Sequence, residues 1–220
     1  MQVYTGDTRK LDFIKIIQDQ GWGRLWSSRV PTQYQQDLTP NWVMDNNVYS
    51  ETTNKKKHPN GWSGIRWDER LHQIIERDLE PDFIVLPDTM GNGPDTIISA
   101  DYYIEQYAVH GFYNEIQTKY AFALQEGMTP DTVARWLDVW DEYDHVLWIG
   151  VLFLGGGDDF KKLAPAWARL AHSRGMQLHY ARAGTPAKVK HARDSGADSI
   201  DSAFPLWEQS RFEEFVKAAS

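Results

Sequence analysis

Apolar positions along the chain fall into two alternating regimes. Short runs rich in β-branched and aromatic residues read as strands: QVYT (2–5), RLWSS (24–28), WVMD (42–45), DFIVLPD (82–88), KYAFALQ (119–125), HVLWIGVLFLGG (145–156), QLHYA (177–181) and SIDSAF (199–204). Between them the pattern predicts helices over 7–20, 67–79, 94–117, 130–143, 160–174 and 186–195, with a last one over 208–219. Local punctuation agrees. Thr129-Pro130 and Thr185-Pro186 read as an N-cap followed by proline at the first helical position, and Gly127, Gly175 and Gly196 mark segment ends. The stretch 29–41, between the second and third strands, is too irregular for a full helix.

Eight strands alternating with helices place the chain in the α/β class with a parallel sheet. Eight is also the strand count of a (β/α)8 TIM barrel, here a compact one, since 220 residues lies near the lower end for that fold. A doubly wound open sheet is the alternative, but no G-x-G-x-x-G follows the first strand. No internal repeat, low-complexity tract or linker divides the chain, so a single β/α-barrel domain over 1–220 is expected.

Composition narrows the chemistry. With no cysteine, the chain has no thiolate nucleophile, no disulfide and no cysteine-ligated zinc. The seven histidines show no H-x-x-x-H spacing, so neither metal nor cofactor is expected. No apolar run reaches the roughly 18–20 residues of a membrane span, and MQVYTGDTRK lacks a signal-peptide profile, so the expectation is a cytoplasmic protein with no membrane partner. A net charge of −8 argues against an indiscriminate grip on nucleic acid. One local basic path stands out, Lys55, Lys56 and Lys57, readable as a solvated loop or as a phosphate contact. The ten tryptophans suit helix–barrel packing, although aromatics also hold unstacked bases.

Asp45, Asp88 and Gln125 each stand at the C-terminal end of an expected strand, Gly155 and Gly156 close the sixth, and Asp201 lies in the eighth. In a β/α barrel these ends share one face, where loops build the active site. Alternation puts Asp201 on the side opposite Ile200, hence inward if Ile200 packs on the helices. Strand-end acids also cap following helices. Three acids and an amide on one rim point instead to a shared site. Carboxylates without a serine–histidine set suit reaction at an oxocarbenium-like sugar carbon. Residue types alone leave glycoside hydrolysis and nucleoside chemistry both open.

The stretch HYARAGTPAKVKHARDSGADSIDSAFP (179–205) resembles the end of the barrel in tRNA-guanine transglycosylases. WVMDNNVYS (42–50), DFIVLPD (82–88), ALQEG (123–127) and FLGGGDDFK (153–161) are similar, in order, to that family's aspartate-turn-aromatic segment and its base-recognition segments. With GIRWDERLHQII (64–75) and 81–96 included, the chain looks closest to the short phage-type relatives that install 7-deazaguanines in DNA. The ordered set spans roughly residues 40–205.

The resemblance implies roles residue by residue. Asp201 resembles the nucleophile that bonds to C1′ of the sugar, and Asp45 the second acid, which manages protons near the base. Asp88 and Gln125 resemble the pair that hydrogen-bonds a flipped-out base, with Gly155 and Gly156 giving backbone contacts beside it. Arg182, on the seventh strand, is a candidate for a phosphate or base contact, and His179 a weaker candidate for a functional role. Asp198 is expected to be structural.

Departures from the family matter too. The tRNA enzymes carry a cysteine-rich zinc subdomain that this chain lacks, which favours DNA, as a duplex with a flipped base or a single strand, over tRNA. Asn46-Asn47-Val48 replaces the glycine-rich turn. Leu206-Trp207 replaces an arginine after the nucleophile strand, with Trp207 either stacking on a base or packing the last helix. The implied activity is base exchange with a free 7-deazaguanine-type base. Hydrolytic removal of a modified base from DNA, a metal-free glycosidase or nucleoside hydrolase, and a catalytically dead binding barrel stay open as alternatives.

Overall fold

The computed structural model describes residues 1–8, 10–110, 118–141, 148–207 and 209–220. Its strands are β1 (Gln2–Gly6), β2 (Gly23–Trp26), β3 (Trp42–Met44), β4 (Phe83–Val85), β5 (Lys119–Leu124), β6 (Ile149–Leu154), β7 (Gln177–Tyr180) and β8 (Ser199–Ser202). All pair in parallel with their sequence neighbours and close into a barrel, β1 pairing with β8 so that Tyr4 stands beside Asp201. Helices fill the connections: α1 (Leu11–Asp19), α2 (Gln33–Leu38), α3 (Val48–Thr53), α4 (Gly64–Glu76), α5 (Gly93–His110), α6 (Pro130–Asp141), α7 (Asp158–Lys161), α8 (Ala164–Ser173), α9 (Pro186–Asp194), α10 (Phe204–Trp207) and α11 (Phe212–Ala219). The expected compact (β/α)8 TIM barrel is the observed fold.

Strand parity sorts the side chains into two apolar layers. Tyr4, Val43, Phe83, Val85, Ala121 and Val151 fill the barrel interior. Val3, Trp26, Trp42, Ile84, Leu152 and Ile200, one position out of phase, pack outward beneath the helices. The helices answer with stripes at helical spacing, such as Trp67, Leu71 and Ile74 on α4, all buried. Most of the tryptophans with described side chains serve this layer, and Trp26, Trp42, Trp67 and Trp167 are among the largest fully buried side chains.

Local signals set the element ends. The Thr185 side chain accepts a hydrogen bond from the Lys188 amide while Pro186 occupies the first turn of α9. Gly196 ends α9 at φ +86°, and the Ala197 amide reaches back to the Ala192 carbonyl in a Schellman-type closure. Three expectations are revised. The segment expected as one helix over 160–174 is two, because Pro165 has no amide to donate and begins a new helix in its first turn. The irregular 29–41 connection holds the short α2, whose Thr32–Gln35 capping box fixes its start. The last helix begins at Phe212, preceded by α10 and a single 3-10 turn, Gln209–Arg211. The remainder of the helix expected to 117, residues 142–143 of the next, and the start of the strand expected from 145 lie outside the described residues. Among the described residues no helix is long and apolar enough to cross a membrane.

Candidate active site

The C-terminal ends of the strands surround one cavity of about 440 Å³. β3 ends at Met44 and delivers Asp45, β5 ends at Leu124 and delivers Gln125, and β6 ends at Leu154 and delivers Gly155. Asp88 follows β4, Arg182 follows β7, and Asp201 lies within β8; all three also line the cavity. Residues far apart in sequence thus share one face, as the strand-end reasoning required. Gly156 stands next to the lining. Lys55, Lys56 and Lys57 are exposed in the turn after α3 and do not line it.

Ile200 packs outward, so Asp201 points into the barrel. Its Oδ1 faces His179 Nε2 at 3.0 Å and accepts a hydrogen bond from the Arg182 main-chain amide at 3.0 Å. Arg182 adopts φ +55°, a left-handed conformation uncommon for a side chain of this size. Asp45 is held in a parallel way. The amide of Asn47, itself at φ +65°, donates to Asp45 Oδ2 at 3.2 Å. Each candidate catalytic acid therefore leans on the amide of a left-handed, non-glycine residue. The strain, about 1–3 kcal/mol at each, is of the kind that collects at functional sites.

Burial pushes the Asp45 carboxyl up from its usual range to about 7, with the nearby Asp201 and Asp88 charges adding to the rise. The Arg70 guanidinium opposes it. Arg70, buried on α4, also clamps the turn: it donates to the carbonyls of Asp45 (2.9 Å) and Asn46 (3.1 Å) and to that of Ser27. Buried Glu51 accepts from Asn47 Nδ2 (2.9 Å) and from Arg66. Its burial works to raise its pKa, but the Arg66 and Asn47 hydrogen bonds outweigh that and hold it below the usual range.

Asp88 is raised to about 6, chiefly by burial, against the lowering effect of hydrogen bonds from Asn46 and Gln125 and of Arg182. Asn46 Nδ2 donates to its Oδ1 at 2.8 Å and Gln125 Nε2 donates to its Oδ2. Gln125 is 4% exposed, and its Oε1 accepts from the Gly91 amide at 3.1 Å, which fixes the amide orientation. A carboxylate offers about four acceptor directions. Asp88 therefore keeps capacity for N–H donors of a ligand.

Gly155 and Gly156 offer their backbone beside the site through the carbonyls. Both amides are committed to the Leu124 carbonyl at 3.1 Å, so the groups turned toward the site are carbonyls, and Arg182 donates to both of them. A side chain at 156 would collide with the Phe160 ring. The Arg182 guanidinium also lies over the Tyr49 ring, 4.8 Å from its centroid.

Asp198 is structural as expected: its Oδ2 accepts from the Leu178 amide (2.8 Å) and pairs with His172 (2.9 Å), and it does not line the cavity. The side chain of Trp207 lies outside the described ones. Sequence reasoning missed Asn46, Asn47, Glu51, Arg66 and Arg70 as supports of the acids; their partners lie up to 43 positions away, and no local pattern announces them. Among the described residues no group of three or more His, Cys, Asp or Glu side chains is placed to hold a metal ion. Comparison with models of protein families and with curated proteins gives no match to this chain.

Proposed function

We propose that this barrel cleaves the bond between base and sugar of a nucleotide extruded from DNA, with Asp201 as nucleophile and exchange of the base as the outcome. The observation that carries this reading is one cavity lined by two acids, Asp201 and the burial-raised Asp45, beside a fixed carboxylate–amide pair, Asp88 and Gln125. Its volume, about 440 Å³, suits a small ligand such as a base with its sugar.

The chemistry balances with these residues. The Asp201 carboxylate attacks C1′ as the C1′–N bond breaks, and the bonding electrons leave with the base. Asp45, able to hold a proton near neutrality, protonates the departing base. In the second step Asp45, now ionised, takes a proton from an incoming base, whose nitrogen attacks C1′ and displaces Asp201. Two displacements retain configuration at the sugar carbon. Asp88 accepts N–H donors on the edge of a purine-like ring, and Tyr49 and Arg182, packed on one another, offer flat surfaces at the mouth against which a base can stack. Lys55, Lys56 and Lys57 supply charge for the strand outside the cavity.

A second reading shares the first step. If water rather than a base attacks the sugar–Asp201 ester, the result is a hydrolytic DNA glycosylase. It is favoured by Asn46 in place of a glycine-rich turn, since that side chain occupies one Asp88 oxygen. Oligonucleotides carrying guanine, a 7-deazaguanine or hydroxymethylated cytosine, incubated with and without a labelled free base, separate the two. Incorporated label means exchange, and alkali-labile strands without label mean excision. No reaction on any DNA, with turnover of free nucleosides or glycosides, removes both.

A further inference from the structure

The His179 imidazole lies inside the barrel with no exposure to solvent, and every face of it is occupied. Its ring stacks on Phe153 with centroids 4.7 Å apart and planes 11° from parallel, and it meets Phe83 edge-on at 5.3 Å. The two ring nitrogens have distinct partners. Nδ1 faces Ser199 Oγ at 2.9 Å, and Nε2 faces Asp201 Oδ1 at 3.0 Å. The register that sets His179 opposite Ser199 on adjacent strands turns both toward the interior, one pleat below Asp201.

An ionised carboxylate only accepts hydrogen bonds, so Nε2 carries the proton. In the neutral imidazole Nδ1 is then the acceptor, and the Ser199 hydroxyl, which can donate, holds that tautomer. The Arg182 amide, just beyond the end of the same strand β7, donates to the same Oδ1. Both donors thus converge on one oxygen, and none of the described residues donates to Oδ2.

Resting on the reading of Asp201 as the nucleophile, we infer that His179 is a positioning residue that pins Asp201 through Oδ1 and leaves Oδ2 as the oxygen that bonds to C1′. The aromatic box makes the imidazole unable to turn. With the carboxylate rotor fixed at one oxygen, the lone pairs of the other keep their direction toward the cavity, and the sugar carbon meets a nucleophile already aligned. Ser199 acts one step further back, on the tautomer.

Two substitutions at 179 test this on the DNA substrate. His179→Phe keeps a flat ring against Phe153 and removes the donor; His179→Gln restores an N–H near the position of Nε2. The inference predicts that the Phe variant loses about 10²-fold in kcat with KM little changed, and that the Gln variant recovers most of the loss. A folded Phe variant with wild-type kcat, or a loss shared equally by Phe and Gln, overturns it. Ser199→Ala, which deletes one hydroxyl, covers the case of an insoluble Phe variant: a several-fold lower kcat at unchanged KM supports the inference, and an unchanged kcat overturns it. Asp201→Asn run in parallel separates the two levels. If that variant is fully active, the reading of Asp201 fails; if it is inactive while the tests at 179 and 199 show no loss, only the positioning role fails.

Discussion

Asn46 Nδ2 donates a 2.8 Å hydrogen bond to Oδ1 of Asp88, joining the turn after β3 to the loop after β4. The same nitrogen reaches the Leu86 carbonyl at 2.7 Å, so one side chain clasps two loops of the rim. Through it the Asp88 carboxylate is tied to the turn that carries Asp45.

Removing the clasp should be felt in both stability and pH dependence. Asn46→Ala strands the buried Leu86 carbonyl, at a cost of about 1–3 kcal/mol. It also deletes one of the hydrogen bonds that hold the Asp88 carboxyl down, so its pKa should climb further above about 6. The acid limb of the kcat/KM profile should move to higher pH by an amount readable in a buffer series. An unmoved limb in a folded variant would show that Asp88 ionisation does not govern binding.

Asp45 sets the opposite limb. Its carboxyl is raised to about 7, and the proposed first step needs it protonated, so kcat/KM should fall as pH rises through about 7. The stability sign follows from the same shift. Between the ordinary carboxylate range and about 7, the folded state binds the proton that the unfolded state has lost, so folding weakens as pH rises across that window. Asp45→Asn removes the ionisation. It should be inactive yet more stable than wild type at pH 8, by about 1–2 kcal/mol after discounting for solvent in the cavity. Melting curves at pH 5 and pH 8 check it: the gap between variant and wild type should widen with pH.

At Arg182 backbone and side chain can be separated. Its φ of +55° favours glycine, so Arg182→Gly should be more stable than Arg182→Ala by about 1 kcal/mol. Both variants lack the guanidinium that bonds the Gly155 and Gly156 carbonyls and covers Tyr49, so both should raise KM by about tenfold or more. Thermal melts of the pair, read beside their kinetics, distinguish backbone strain from side-chain binding.

Replacing Lys55, Lys56 and Lys57 together by glutamine should weaken DNA binding at low salt. It should also shrink the slope of log K against log salt by up to about 0.7–0.9 for each phosphate that the lysines neutralise. Fluorescence anisotropy across a salt series measures this directly. An unchanged slope assigns the three lysines to a solvated turn.

How far the sequence announced this molecule depends on the range over which each signal acts. The barrel was legible because strand alternation and helical spacing are local, and the eight apolar runs each seeded a strand. Their lengths were overestimated: Ser27, Asp45 and Gln125 read as strand continuations, yet pairing stops where the chain turns outward to build the rim. α3 was invisible because Val48, Thr52 and Thr53 are poor helix formers and its N-cap offers no side-chain bond. Buried Glu51, held by Asn47 and Arg66, ties it down from outside its own sequence. Asp45, Asp88, Gln125, Arg182 and Asp201 could be found because chemistry at strand ends follows chain order. The Asn46 clasp, the Arg70 clamp and the pairing of His179 with Ser199 and Asp201 depend on cross-strand register and on α4 docking, which no window of residues contains.

Capture of the sugar on Asp201 tests the central claim most directly. The protein is incubated with a reactive oligonucleotide, quenched in acid, digested and examined by mass spectrometry. The account predicts an adduct of the strand less its base on the peptide containing Asp201, absent from Asp201→Asn. Base release at the wild-type rate by Asp201→Asn, or an adduct mapped to another residue, would contradict it.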